Sequence, residues 1–159
     1  MRHTVLGTFF ALSASAALGL GCGSNAPSAP NSFTRVYTEI IKPTSGAGCS
    51  TVYCHYNYVG IKYSALDMSS QVFAYWSLVG MPCMGANCAG NGTRVVPGQP
   101  EASILYLKVS QPTPPCGSQM PADVQTMLLD GYSKFSGNAL SADQQQLIHD
   151  WIQEGAPNN

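Results

Sequence analysis

Cys49-Ser50-Thr51-Val52-Tyr53-Cys54-His55 sets two thiols and an imidazole within seven residues. Thiols add across the two vinyl groups of a haem, and an imidazole next to the second thiol becomes an axial iron ligand. The attachment pattern most often met is C-x-x-C-H, whereas this spacing is C-x-x-x-x-C-H. The longer spacer also lets Cys49 and Cys54 close on each other as a disulfide, leaving His55 incidental. Two chemistries therefore start from the same residues: covalent haem c on Cys49 and Cys54 with His55 as proximal ligand, or a small disulfide loop. Zinc is a third. Cys49, Cys54 and His55 with Cys83 and Cys88 offer enough N and S donors, although the gaps are wider than in zinc fingers.

A haem iron held by His55 needs a second axial ligand for electron transfer. A thioether in that place raises the potential. Met120 is the candidate, because Pro121 follows it and the Pro-rich run 111–116 precedes it, which favours a fixed extended loop. Met68, Met81, Met84 and Met127 read as core filler. His149 is a rival ligand, but it sits on the last helix away from its apolar stripe and is expected to face solvent. Cys116 needs a partner: Cys88 is the first choice and Cys83 the second, each clipping the 81–93 loop to the Met120 loop. A Cys83–Cys88 pair leaving Cys116 free is the remaining arrangement. G-x-S-x-G, H-E-x-x-H and P-loop patterns are absent, so hydrolase and nucleotide chemistry have no sequence support.

The elements that must position these groups are helical. Residues 32–42 carry Phe33, Val36, Ile40 and Ile41 at helical spacing behind a Ser32 cap, and Pro43 stops the helix. Residues 70–79 predict a second helix capped by Ser69 or Ser70, with Val72, Phe73, Trp76 and Val79 as its apolar side. A third, buried helix is expected over 101–109, with Ile104, Leu105, Leu107 and Val109. The last begins with the capping box Ser141-x-x-Gln144, carries the stripe Leu147, Ile148, Trp151 and Ile152, and ends at Gly155. Loops are expected over 81–93, 111–121 and 132–139. Repeats are absent and period-two alternation is scarce. The expected fold class is mainly α, with four or five short helices joined by long loops.

The N-terminus carries an export signal. Arg2 and His3 precede an apolar, small-residue-rich run over 5–20 that is too short and too small-residued for a mature span. Leu20-Gly21-Cys22 resembles a bacterial lipobox, which makes Cys22 the candidate for diacylglycerol attachment. The alternative is ordinary cleavage near 14–17. The expected organisation is a signal peptide over 1–21, a Gly/Ser/Asn/Pro tether over 22–31 and one domain over 32–157. Export puts the cysteines in an oxidising compartment, where thiols are paired, metallated or modified. Charged residues make up 9% of the 159 and the formal charge is −1. The few Lys and Arg are scattered, so nucleic acid is not an expected partner.

In order, the motifs are a helix, C-x4-C-H, Ala65-Leu66-Asp67-Met68-Ser69, and Arg94-Val95-Val96-Pro97-Gly98-x-Pro100-x-x-Ser103-x-Leu105. Met120-Pro121 and then Leu140-Ser141 through Leu147-Ile148-x-x-Trp151-Ile152-x-x-Gly155-Ala156 follow. This order resembles the planctomycete- and myxobacteria-type cytochrome c domains found in exported lipoproteins, over about residues 33–156. The resemblance implies a small cytochrome c-like domain with Cys49 and Cys54 as thioether attachments, His55 as proximal ligand and Met120 as distal ligand. It implies that Arg94 and Pro97 lie near the haem edge or shape the turn there, and that Trp151 belongs to a terminal helix packed on the first. The expected function is that of a mono-haem electron carrier in the cell envelope, held by its lipid and serving a redox partner protein. A haem-free, disulfide-stapled lipoprotein on the same scaffold is the alternative, and a haem peroxidase with an open distal position comes third.

Overall fold

The computed structural model describes residues 29–42, 49–50, 54–56, 65–121 and 139–159. Among them the chain is mainly helical: α1 (Phe33–Val36), α2 (Gln71–Leu78), α3 (Ile104–Ser110) and α4 (Ala142–Gln153), with no strand. The signal peptide, Cys22, most of the tether and the 132–138 part of the expected loop lie outside the described residues.

Ser32 caps α1 by accepting a hydrogen bond from the Arg35 amide. The helix then widens into a π-helical turn, Tyr37–Ile41, closed by Lys42 N donating to Tyr37 O at 2.9 Å. The pattern of apolar residues accounts for the widening. At 3.6 residues per turn Ile41 would fall roughly 80° round the helix from Phe33. A wider turn advances each residue less, so Ile41 comes back to the face of Phe33, Val36 and Ile40. All four are buried. Lys42 is extended, as the residue before a proline must be.

The second helix faces the other way from the sequence expectation. Its buried residues are Ala74 and Leu78, with Tyr75 packed beside them, whereas Val72, Phe73 and Trp76 are 61%, 56% and 65% exposed. Gln71, Ala74, Tyr75 and Leu78 form one i, i+3, i+4, i+7 stripe, and Val72, Trp76 and Val79 fit another nearly as well. Polar contacts choose between them. Gln71 Nε2 donates to Thr34 Oγ1 at 2.9 Å and Tyr75 Oη to Ala156 O at 3.0 Å. Val79, just beyond the helix, does turn inward and pairs with Val95.

The expected third helix is divided. A 3-10 turn, Pro100–Ala102, precedes α3, and between them Ser103 Oγ accepts from Val96 N and donates to Gln99 O, both at 2.8 Å. Ile104 N and Leu105 N donate to Thr93 O and Arg94 O, so they do not reach Pro100 O and Glu101 O as a continuous helix would require. Pro97 and Gly98, the latter at φ +77°, form a turn closed by Gln99 N to Val96 O. Glycine is the residue that takes this φ without strain. Gly98 N donates to Ile152 O at 2.7 Å, which docks the turn on α4.

Helix α4 follows its sequence signals. Ser141 and Gln144 form the reciprocal capping box, and Gly155 leaves the helix at φ +96°. Leu147, Ile148, Trp151 and Ile152 are buried. The Trp151 ring lies 5.0 Å from Phe33 of α1, and Phe33 meets Tyr75 of α2 edge-on at 5.2 Å. The core is therefore a junction of α1, α2 and α4, and the chain end is tied to it through Thr34 N donating to Asn159 O.

Candidate functional site

The described part of the 49–55 loop returns to the π-helical turn. Ser50 N donates to Ile41 O at 2.8 Å, so the widened turn that buries Ile41 also places Cys49 at the core edge. The loop closes on itself through His55 N donating to Cys49 O at 3.2 Å. His55 O in turn accepts from Met68 N at 2.8 Å, and Met68 is buried. Thr51, Val52 and Tyr53 lie outside the described residues, as do Tyr58, Ile61 and Tyr63.

Both thiols of the loop are free. Cys49 packs against the main core, and burial, with the Cys54 thiol second, pushes its pKa up to about 12. It is a protonated thiol at neutral pH. Burial pushes His55 down to about 4, and the positive charges of Arg94 and Lys108 add to the effect. The imidazole is accordingly neutral near pH 7, the state in which a ring nitrogen can bind a metal. Beside Cys49 the Ser50 hydroxyl is fully buried and has no hydrogen-bond partner among the described residues. A buried polar atom without a partner costs free energy, and here it marks a polar need next to the thiol.

Met120 packs against the same core cluster as Cys49. Lys108 at the end of α3 sets its position from both of its ends. The Lys108 carbonyl accepts from Met120 N at 2.8 Å, and Lys108 Nζ donates to Cys116 O at 2.8 Å and Ser118 O at 3.1 Å. Cys116 is also bonded to Cys88, with the Cα atoms 5.1 Å apart. The loop that carries Met120 is thus fixed by a disulfide, a cation and a backbone bond. Sequence reasoning passed over Lys108, because nothing in Leu107-Lys108-Val109 distinguishes a lysine that holds carbonyls from one that faces water.

Arg94 is 5% exposed and clamps two carbonyls, Ser77 O near the end of α2 and Ala65 O at 2.9 Å. These bonds hold Ala65 against the end of α2. Burial lowers its pKa. Cys83 is a buried free thiol packed with Cys88, Cys116 and Ile104. His149 lies on α4 against Tyr106, with Nδ1 2.9 Å from Asp150 and Nε2 3.3 Å from Glu101. These partners tie α4 to the turn before α3 and set His149 apart from the 49–55 loop.

The donor set suits a covalent c-type haem: two free thiols, a neutral imidazole after the second, and a thioether on an anchored loop. It suits zinc poorly, since Cys88, one of the sulfurs a four-ligand set would draw on, is consumed in the disulfide. A shallow cleft of about 190 Å³ lies between Asn31, Arg35, Asp143, Gln146, Leu147 and Asp150. It contains none of the cysteines, His55 or Met120, and its open charged lining gives it no part in this chemistry. Comparison with protein-family models, curated proteins and solved structures returns no match.

Proposed function

We propose that the chain is an exported, lipid-anchored mono-haem cytochrome of the c type that carries single electrons. The observation that carries this reading is the closed 49–55 loop: two free thiols and a neutral imidazole at the core edge, with Met120 packed on the same cluster. Cys49 and Cys54 would hold the haem through thioethers, and His55 and Met120 would ligate the iron. When bound, the haem supplies the one-electron couple, and the protein supplies ligation, burial and control of potential.

Each residue has a definite task in that scheme. The Cys49–His55 backbone bond holds the loop ends together, so the second thiol and the imidazole approach as a unit. Burial keeps the His55 lone pair unprotonated through the physiological range. Lys108 and the Cys88–Cys116 bond remove slack from the Met120 loop, so that a weak thioether ligand need not be gathered from a flexible chain. Arg94 contributes through the two carbonyls it clamps, which keep the 65–70 segment against α2.

Co-expression with a haem-attachment system tests the reading. The expected result is a covalent haem in the pyridine haemochrome assay and a mass increase of one haem that is lost in Cys49→Ser/Cys54→Ser. A colourless protein whose mass shows only disulfides would overturn it, and would favour the haem-free stapled lipoprotein, for which the Cys88–Cys116 bond already supplies one staple.

A further inference from the structure

From the sequence alone, residues 68–93 contain no Asp, Glu, Lys, Arg or His. The structure puts α2 inside that stretch and turns Val72, Phe73 and Trp76 outward, all more than half exposed, followed by the exposed Met81 and Met84 of the next loop. Trp76 is held in place, its ring edge-on to Tyr75 at 5.6 Å, and Tyr75 is bonded to Ala156 O. An outward Phe–Trp pair on an uncharged, fixed helix is an interaction surface rather than scattered surface apolarity.

The path of the chain indicates what covers it. Gln71 at the start of α2 bonds to Thr34 at the start of α1, and Tyr37 Oη donates to Ser69 O at 3.4 Å. The N-terminal segment therefore reaches the domain beside this helix, with Ser32 N donating to Ala29 O at the point where it arrives. Ala29 follows Cys22 by seven residues, which span at most about 25 Å fully extended. A lipid on Cys22 holds a bilayer within that reach of Ala29 at all times, and the Gln71–Thr34 bond sets α2 beside the segment that starts there, which gives a weak apolar contact a high effective concentration. Tryptophan with phenylalanine favours the membrane–water interface, and an uncharged face has no ion to desolvate on approach.

We infer that the α2 face of Val72, Phe73 and Trp76 rests on the bilayer to which Cys22 is anchored, so that the domain sits on the membrane in one orientation. This inference rests on the reading of Cys22 as lipidated, and the two are separable by experiment. Trp151 is fully buried, so Trp76 is the tryptophan that lipid can reach. The full chain is placed in phosphatidylcholine vesicles with brominated acyl chains, after mass analysis of Cys22. Quenching and a blue shift of Trp76 emission, both insensitive to salt, are expected. In parallel, the unlipidated Cys22→Ser protein is floated with plain vesicles, and Phe73→Ser/Trp76→Ser, with circular dichroism checked, should lower its partitioning at least about tenfold. Lipid present at Cys22 with Trp76 unquenched would overturn the inference, as would a dimer in solution that buries Trp76 and excludes vesicles. Absence of lipid at Cys22 would overturn the anchor reading alone, and flotation of the Cys22→Ser protein then still decides whether the face binds lipid.

Discussion

The neutral state of His55 makes a measurable claim about the haem-free protein. Its pKa lies near 4 in the fold, mainly through burial, against 6.5 for an ordinary histidine. As pH falls through about 6.5 the unfolded chain takes up a proton on this ring and the folded chain does not, so unfolding is favoured. The His55 contribution is thus fully present above pH 6.5, is lost as pH falls toward 4, and changes no further below that. At about 1.4 kcal/mol per pH unit the gap is worth about 3 kcal/mol at most. His55 keeps some surface, and access of water reduces this to between about 1 and 3 kcal/mol. The perturbation is His55→Gln, which cannot charge. Urea unfolding of haem-free wild type and variant at pH 7.5, 5.5 and 4 measures the loss, and carboxylates titrating over the same range cancel in the difference. The chain has three histidines, His3, His55 and His149, so the ring can also be followed directly by NMR. Equal acid losses in the two proteins, or a His55 ring that titrates near 6.5, would refute the reasoning.

Other perturbations probe the parts that hold the site. Cys49 has its pKa raised, so its contribution is complete below about pH 9 and is lost as pH rises toward 12; iodoacetamide at pH 8 should label it at least about tenfold faster in urea than in the fold. Removing the Cys88–Cys116 bond with the double serine variant releases a loop of 28-residue separation and should cost about 3.6 kcal/mol in urea unfolding. Trp151→Ala empties the junction with Phe33 and should cost about 3–5 kcal/mol, with a double-mutant cycle against Phe33→Leu showing coupling. Gly117→Ala places a Cβ 2.9 Å from Lys108 Nζ at a φ of +59°, so it should release the lysine from its two carbonyls and shift the Met120 methyl resonance, whereas Ser118→Ala should not.

The sequence-readable parts of the fold were those with a local physical cause. Ser141 and Gln144 lie three apart in front of an apolar stripe, and their reciprocal bonds need nothing from the rest of the chain. Ser32 before Phe33, and Pro97-Gly98 in a turn, are of the same kind. The mainly α class followed from such signals. The inward face of α2 did not, because Val-Phe-Ala-Tyr-Trp-Ser-Leu-Val is apolar on every side and both stripes satisfy the period. What selected one was a pair of distant bonds, Gln71 to Thr34 and Tyr75 to Ala156, which bring together positions 37 and 81 residues apart. The candidate site divides in the same way. Cys49, Cys54 and His55 announce themselves by spacing, whereas Lys108 matters only because the chain folds back to place Cys116, Ser118 and Met120 around it.

That division has a consequence for the two halves of the site. The thiols and His55 are local, and their closed loop depends on the π-helical turn ahead of it through the Ser50–Ile41 bond. The Met120 side is non-local and depends on α3, the disulfide and one lysine. A substitution that straightens the turn, such as Ile41→Ser, removes the apolar gain for widening it and should disturb the cysteine loop while leaving the Met120 anchor intact. Lys108→Met should do the reverse, freeing the Met120 loop with the Cys49–His55 bond still protected. Amide hydrogen exchange at His55 and Met120 in both variants separates these outcomes. Loss of protection at both amides in both variants would mean that the halves fold as one unit, and that the anchored Met120 loop is no independent support for the ligand it carries.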